Sequence, residues 1–302
     1  MPAGILEQIA EGPVLGDGGY VYILEQRGVP MNDYTPYGIL SHQDEVGRLY
    51  HEFYGAGVDI IQAQTFQGTR NRLDNVGMGD RYEDIHKQAV DLARASTGPD
   101  VLIAGSIGSA VGSAGLSERG LTTDEARGLY AEEANLLAEL GVDFLIVETF
   151  FHMDDMTAGI EGAREPGLSV VATATFRKHE TTLENGVTTA EEAALGMVSA
   201  GADVVGINCM REPAMLLPLA REMGASVSTP LALQPVAIQC QPEYVHISQI
   251  PKWTERVLSP SAMADYASEA VEDGVRYVGS CCGSGPEHVR AMAEALGKPA
   301  RG

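Results

Sequence analysis

The sequence predicts an α/β protein, a single (β/α)8 barrel of TIM type spanning residues 1–302. Three observations lead there. Short apolar runs alternate with amphipathic helical segments eight times along the chain. The runs are apolar on both faces, as parallel strands covered by helices are. A junction also recurs, in which a helical segment meets a glycine, then a small or branched residue, then a strand: Gly57-Val58-Asp59-Ile60-Ile61, Gly141-Val142-Asp143-Phe144-Leu145, Gly201-Ala202-Asp203-Val204-Val205 and Gly274-Val275-Arg276-Tyr277-Val278. Each glycine reads as a left-handed C-cap that ends the helix and turns the chain into the next strand.

The remaining strands fall between these junctions, at Val14-Leu15-Gly16, Val101-Leu102-Ile103-Ala104, Ser169-Val170-Val171-Ala172-Thr173 and Leu231-Ala232-Leu233. Helix starts are marked by the S/T-x-x-E spacing of a capping box at Thr122…Glu125, Thr189…Glu192 and Ser284…Glu287. Amphipathic segments follow, such as Ala126 to Leu140 and Ala190 to Ala200. A doubly wound open sheet is the competing architecture, but no G-x-G-x-x-G follows the first strand. The longest irregular piece, Gln234 to Pro260 with Trp253 inside it, has the length of a functional loop and is expected as a lid.

Composition narrows the function. The 302 residues carry a net charge of −22, which argues against nucleic acid or an anionic membrane as partner. No apolar run is long enough to span a bilayer, and Met1 to Gly12, with Glu7 and Glu11, lacks the pattern of a signal peptide. Four cysteines, two of them adjacent, do not make a secreted disulfide framework, so a cytoplasmic protein with reduced thiols is expected.

In a barrel of this type the C-terminal ends of the strands face the active site. Strand one ends in Asp17-Gly18-Gly19, strand two in Gln62-Ala63-Gln64-Thr65-Phe66, and strand four in Glu148-Thr149-Phe150. Strand six delivers Asn208-Cys209 and strand eight Cys281-Cys282. Adjacent cysteines pair poorly with each other, because a disulfide needs a specific separation and torsion. Cys209, Cys281 and Cys282 can instead meet one tetrahedral ion, three sulfurs and an open position being the layout of a catalytic zinc site. Cys240 lies in the long loop and is not needed. A three-thiolate site is a poor acid for water and better suited to a fourth sulfur, from a substrate thiol that it ionises at neutral pH. Small buried hydrophobes are the alternative identity for these cysteines.

Asp17-Gly18-Gly19, Gly206-Ile207-Asn208-Cys209 and Gly279-Ser280-Cys281-Cys282-Gly283 resemble the three signatures of the homocysteine S-methyltransferases. The betaine–homocysteine branch is the most similar, through residues 17–28, Tyr34-Thr35-Pro36, His51-Glu52-Phe53 and Val142-Asp143-Phe144-Leu145-Ile146. The resemblance implies Zn2+ on Cys209, Cys281 and Cys282. It implies homocysteine held by Asp17, Gly18, Gly19 and Glu148 beside Asn208, and an onium donor caged by Tyr20, Tyr34 and Phe66 through cation–π attraction. Gln64, Gln67 and Thr149 stand where that branch has aromatic residues, which opens the donor to glycine betaine or a sulfonium such as S-methylmethionine or dimethylsulfoniopropionate. The extended C-terminal arm that assembles the betaine enzymes is absent from residues 1–302, so their oligomeric state is not carried over. The expected function is zinc-dependent methyl transfer to homocysteine, giving methionine. A homocysteine-binding module served by a separate corrinoid protein, and a non-catalytic zinc or redox protein, are the rival functions.

Overall fold

Valine, isoleucine, leucine and phenylalanine fill the strands because both faces of each are covered. The structure, a computed structural model, describes residues 3–29, 35–176, 181–240, 250 and 252–301, without the side chains of 35–37. Eight strands appear where the apolar runs predict them: β1 (Val14–Leu15), β2 (Ile60–Ala63), β3 (Leu102–Gly108), β4 (Phe144–Phe150), β5 (Val170–Ala174), β6 (Val204–Asn208), β7 (Leu231–Gln234) and β8 (Val275–Val278). All pairings are parallel, in the order β1-β8-β7-β6-β5-β4-β3-β2. Helices lie between successive strands, giving a nearly closed (β/α)8 barrel.

The four junction glycines all adopt the left-handed conformation, with φ between 82° and 104°. At three of the four junctions the residue two positions later is an aspartate, with a role that its spacing did not reveal. Asp59 exchanges two bonds with Leu15, its N–H donating to the carbonyl (2.8 Å) and its carboxylate accepting the Leu15 N–H (2.8 Å). Asp143 does the same with Ile103 (2.8 and 2.6 Å), and Asp203 with Val170 (2.9 and 2.8 Å). Each aspartate thus clamps the start of its strand to the preceding one and satisfies buried backbone groups that would otherwise cost free energy. At the β1–β2 seam, where the strands themselves are not paired, this clamp and a bond from Gln62 N–H to Asp17 Oδ2 (2.7 Å) bridge the gap.

The barrel interior holds Ile60, Leu102, Phe144, Ile146, Val204 and Tyr277, and Ile5 and Ile9 of the helix Ile5–Glu11 join that cluster at the end where the strands begin. Two predicted capping boxes form, at Thr122/Glu125 and Thr189/Glu192. The third does not. Helix Pro286–Ala295 is capped at Gly285, whose N–H donates to His288 Nδ1 (3.1 Å), because the Ser284 hydroxyl is engaged by Ser280 Oγ (2.7 Å). The long connection after β7 is partly ordered by a bridge between Ile238 and Val257 and a 3-10 turn at Trp253–Arg256. Residues 241–249 and 251, where much of the expected lid would lie, fall outside the described residues.

Candidate active site

Cys209 follows β6, and Cys281 and Cys282 follow β8. Parallel strands two places apart bring them to the same rim, and the intervening β7 segment fixes their spacing. Cys209 N–H donates to the Gln234 carbonyl (2.8 Å), Cys281 N–H to Pro235 (2.8 Å), and Ala237 N–H to Cys282 (2.9 Å). The sulfurs lie 3.8 Å apart for Cys209–Cys282 and 3.7 Å for Cys281–Cys282, and all three are within 4.8 Å. Ligands about 2.3 Å from a tetrahedral zinc stand about 3.8 Å apart, which the Cys209–Cys282 and Cys281–Cys282 separations match. Hydrogen bonding to the Cys209 sulfur, with burial behind it, holds the Cys281 and Cys282 thiols well above their ordinary pKa. A bound cation reverses that preference. Cys240 lies outside the cluster, its thiol pushed up to about 11 mainly by burial.

The strand-one motif has a structural reason beside the cysteines. A Cβ on Gly18 would lie 2.4 Å from the Ser284 carbonyl oxygen, and one on Gly19 2.6 Å from that of Cys281. Gly19 N–H donates to Ser284 (2.9 Å) and Ser280 N–H to the Asp17 carbonyl (3.2 Å). Only glycine lets the cysteine turn seat this closely on β1.

Glu148, at the end of β4, is buried and accepts from Ser106 Oγ and from Asn208 Nδ2 (3.1 Å). Asn208 is held in turn, its Oδ1 accepting from Thr149 N–H (3.0 Å) and Thr175 Oγ1 (3.1 Å), its Nδ2 also donating to Thr149 Oγ1 (2.7 Å). Burial pushes the Glu148 pKa up to about 8, helped by Cys209 and Asp17 and opposed by the Ser106 bond. An arriving ammonium brings such a carboxyl down again and finds an oriented acceptor.

The family model for homocysteine S-methyltransferases matches residues 14–296. The chain belongs to that family. It is 33% identical to betaine–homocysteine S-methyltransferase 1 of Xenopus tropicalis, covering 99% of this chain and 76% of that protein. It is also 33% identical to the S-methylmethionine–homocysteine S-methyltransferase BHMT2 of Pongo abelii, over 99% of this chain and 82% of that protein. In fold it matches the metallated form of the homocysteine methyltransferase MmuM from Escherichia coli, with a TM-score of 0.76 at 19% identity, covering 94% of this chain and 96% of that one. The enzyme is a homocysteine S-methyltransferase, and its reaction is methyl transfer to homocysteine.

One cavity of about 580 Å³ opens at this rim and brings together Gly18, Gly19, Tyr20, Phe66, Glu148, Asn208, Cys209, Cys281 and Cys282 of the expected set. Asp17 lies behind its wall, fully buried, with Oδ2 accepting from the Tyr20 hydroxyl and Gln62 N–H, and burial pushes its pKa up to about 7. Tyr20 is largely enclosed, edge-on to Tyr50 and Phe53 with ring centroids 5.3 Å away in each case. Tyr34 falls outside the described residues. No helix of the described residues is long and apolar enough to cross a membrane.

Sequence reasoning passed over several cavity residues. Tyr22 packs with Cys209, and Trp253, Cys281 and Cys282 adjoin the same cluster; the Tyr22 and Trp253 rings meet edge to face at 4.8 Å. Gln234 ends β7 and lines the cavity, so the strand-end rule applied to strand seven would have found it. Arg72, Arg119 and Phe151 also line it, on segments where no periodicity marks the direction of a side chain.

Proposed function

We propose that this enzyme is zinc-dependent and takes its methyl group from a small onium donor, a betaine or a sulfonium, giving methionine. The sulfur spacing at Cys209, Cys281 and Cys282 carries the reading, because two of its separations match those around tetrahedral zinc and the third sulfur lies within 4.8 Å. Zinc held by these three residues would supply one thing, ionisation of the homocysteine thiol at neutral pH.

The chain's own groups do the rest. Glu148, oriented by Ser106 and Asn208, receives the homocysteine ammonium, and Asp17 adds negative charge from behind the wall. Phe66 and Phe151 offer apolar surface to the donor, while Tyr22 and Trp253 shield the sulfur end. A water-poor pocket strengthens each electrostatic contact. The new S–CH3 bond forms as the donor's N–CH3 or S–CH3 bond breaks, and the electron pair leaves on a neutral amine or thioether. No proton moves in that step.

The test is methionine formation from homocysteine by zinc-loaded protein without cobalamin. Glycine betaine, S-methylmethionine, S-adenosylmethionine and dimethylsulfoniopropionate are supplied one at a time. Turnover with a betaine or sulfonium is expected. Failure with all four overturns the reading in favour of delivery by a separate corrinoid protein.

A further inference from the structure

The cavity reverses the charge balance of the chain. Acidic residues outnumber basic ones by 42 to 20 in the sequence. Yet among the described residues the charged side chains lining the cavity, cysteines and tyrosines aside, are Arg72, Arg119 and Glu148. The nearby acids Asp74 and Glu118 are exposed and do not line it.

The charges are also sorted. Glu148 stands on β4, joined through Asn208 to the strand that delivers Cys209. The arginines come from the connections after β2 and β3: Arg72 from helix Arg70–Asn75, Arg119 from the 3-10 turn Ser117–Arg119. Arg72 Nη1 lies against the turn at Gly112, 3.2 Å from where a Cβ there would stand. That turn is well anchored. Ser109 Oγ donates to buried Asp155 (2.6 Å) and accepts from Val111 N–H (3.2 Å), and Ala110 N–H donates to the Tyr130 hydroxyl (2.8 Å), which itself donates to Asp155 (2.6 Å). The pocket thus takes its sulfurs from the ends of β6 and β8 and its carboxylate from β4, while its guanidiniums come from the connections after β2 and β3.

A donor matching this field is a dipole, with its onium carbon toward the thiolates and an anionic group toward the arginines. Homocysteine's own carboxylate shares a carbon with the amine that Glu148 receives, so it stays beside that residue. We propose that Arg72 and Arg119 form an anion subsite for the carboxylate of the methyl donor, selecting zwitterionic onium compounds over purely cationic ones. This rests on the donor chemistry proposed above. Guanidinium suits the role, because its planar fork meets a carboxylate with two parallel hydrogen bonds.

The experiment uses the zinc-loaded full chain with Arg72→Gln and Arg119→Gln, and with Arg119→Lys as the charge-retaining variant. Glycine betaine is paired with choline, which has the same trimethylammonium group but no carboxylate, and dimethylsulfoniopropionate is run alongside. Donor KM, kcat and homocysteine KM are measured, together with calorimetric binding of betaine and choline in the presence of homocysteine. The wild type should bind a carboxylate donor at least about tenfold more tightly than choline, the value of one charge-assisted contact. Each Gln variant should raise donor KM by about that factor, leave homocysteine KM unchanged, and narrow the gap to choline; Arg119→Lys should recover part of it. Equal wild-type binding of betaine and choline, unaffected donor KM in both Gln variants, or a rise confined to homocysteine KM would each overturn the subsite. Absence of turnover with any donor defeats the methyl-donor reading, while the calorimetric comparison still decides the subsite.

Discussion

Replacing Gly19 by alanine tests whether the strand-one glycines exist to seat the cysteine turn. The new Cβ would stand 2.6 Å from the Cys281 carbonyl oxygen and 2.9 Å from Cys282 Cα, both backbone atoms that cannot rotate away. Ordinary contact begins at about 3.4 Å, so the turn must retreat by roughly 0.8 Å, more than the ~0.5 Å within which a site geometry has to be held. Overpacking should cost about 1–3 kcal/mol of stability. Zinc affinity should fall about 10–100-fold, the usual effect of disturbing groups that support metal ligands. Gly162→Ala is the matched control, since its Cβ would stand 2.7 Å from the Arg127 carbonyl oxygen in a helix–helix contact outside the barrel. Urea unfolding should show similar losses for the two variants. Competition against a chromophoric chelator should show weakened zinc only for Gly19→Ala. Unchanged zinc affinity in Gly19→Ala, with its stability loss present, would refute the reasoning.

Three further outcomes follow from the geometry. Burial pushes the Asp155 pKa up to about 6 from 3.8, against the opposing bonds from Ser109 and Tyr130. The folded state therefore holds its proton longer than the unfolded chain, and stability present below pH ~4 is lost as pH rises through ~6, by about 3 kcal/mol. Asp155→Asn should flatten that part of a stability–pH curve measured by thermal unfolding; an unchanged slope counts against the assignment. Asn208→Ala strands the buried Thr149 N–H and releases Glu148, and should cost about 1–3 kcal/mol in urea unfolding together with a higher homocysteine KM. Trp253 is the sole tryptophan and touches Tyr22 beside the cysteines, so titrating the metal-free protein with zinc should change its emission, and Cys281→Ser should remove that response.

The barrel and its cysteine cluster were legible because both depend on local patterns. Apolar runs, left-handed glycines and strand-end cysteines act where they stand in the chain, and (β/α)8 geometry brings β6 and β8 to one rim. What stayed hidden depends on direction. Tyr20 precedes the helix Val21–Gln26 and Tyr22 lies within it, about 200° further round at 100° per residue. One hydroxyl therefore turns to Asp17 while the other ring faces the cysteines. Ser284 had the spacing of a cap, but Ser280 claims its hydroxyl through a contact that spacing does not encode. Asp59, Asp143 and Asp203 gave no sign of their clamping role, because their partners lie on the neighbouring strand, 33 to 44 positions away. Arg119 carried no signal at all, since its place on the rim follows from the folded path of the connection after β3.

Backbone strain separates the site from its scaffold. Among the described residues, five that are not glycine have positive φ, and Gln67, Thr149, Cys209 and Met210 line the cavity. Each sits past the end of β2 or β6 or at the next-to-last residue of β4, and each costs of order 1–3 kcal/mol that glycine would avoid. Evolution of a stable barrel alone would favour glycine at such positions. At two of them the side chain or its backbone has a visible role. Cys209 completes the sulfur cluster, and Thr149 both donates its N–H to Asn208 and accepts from it. The irregular pairing between β4 and β5 falls at Glu148/Phe150, around the same Thr149, and it turns the end of β4 so that Thr149 faces the cavity beside Glu148. Strain, register shift and hydrogen bonds therefore converge on the stretch of the cavity wall formed by Glu148, Thr149, Asn208 and Cys209. A site held in this way is organised before substrate arrives, which is the condition for its dipoles to act on the transferring methyl group without reorganising.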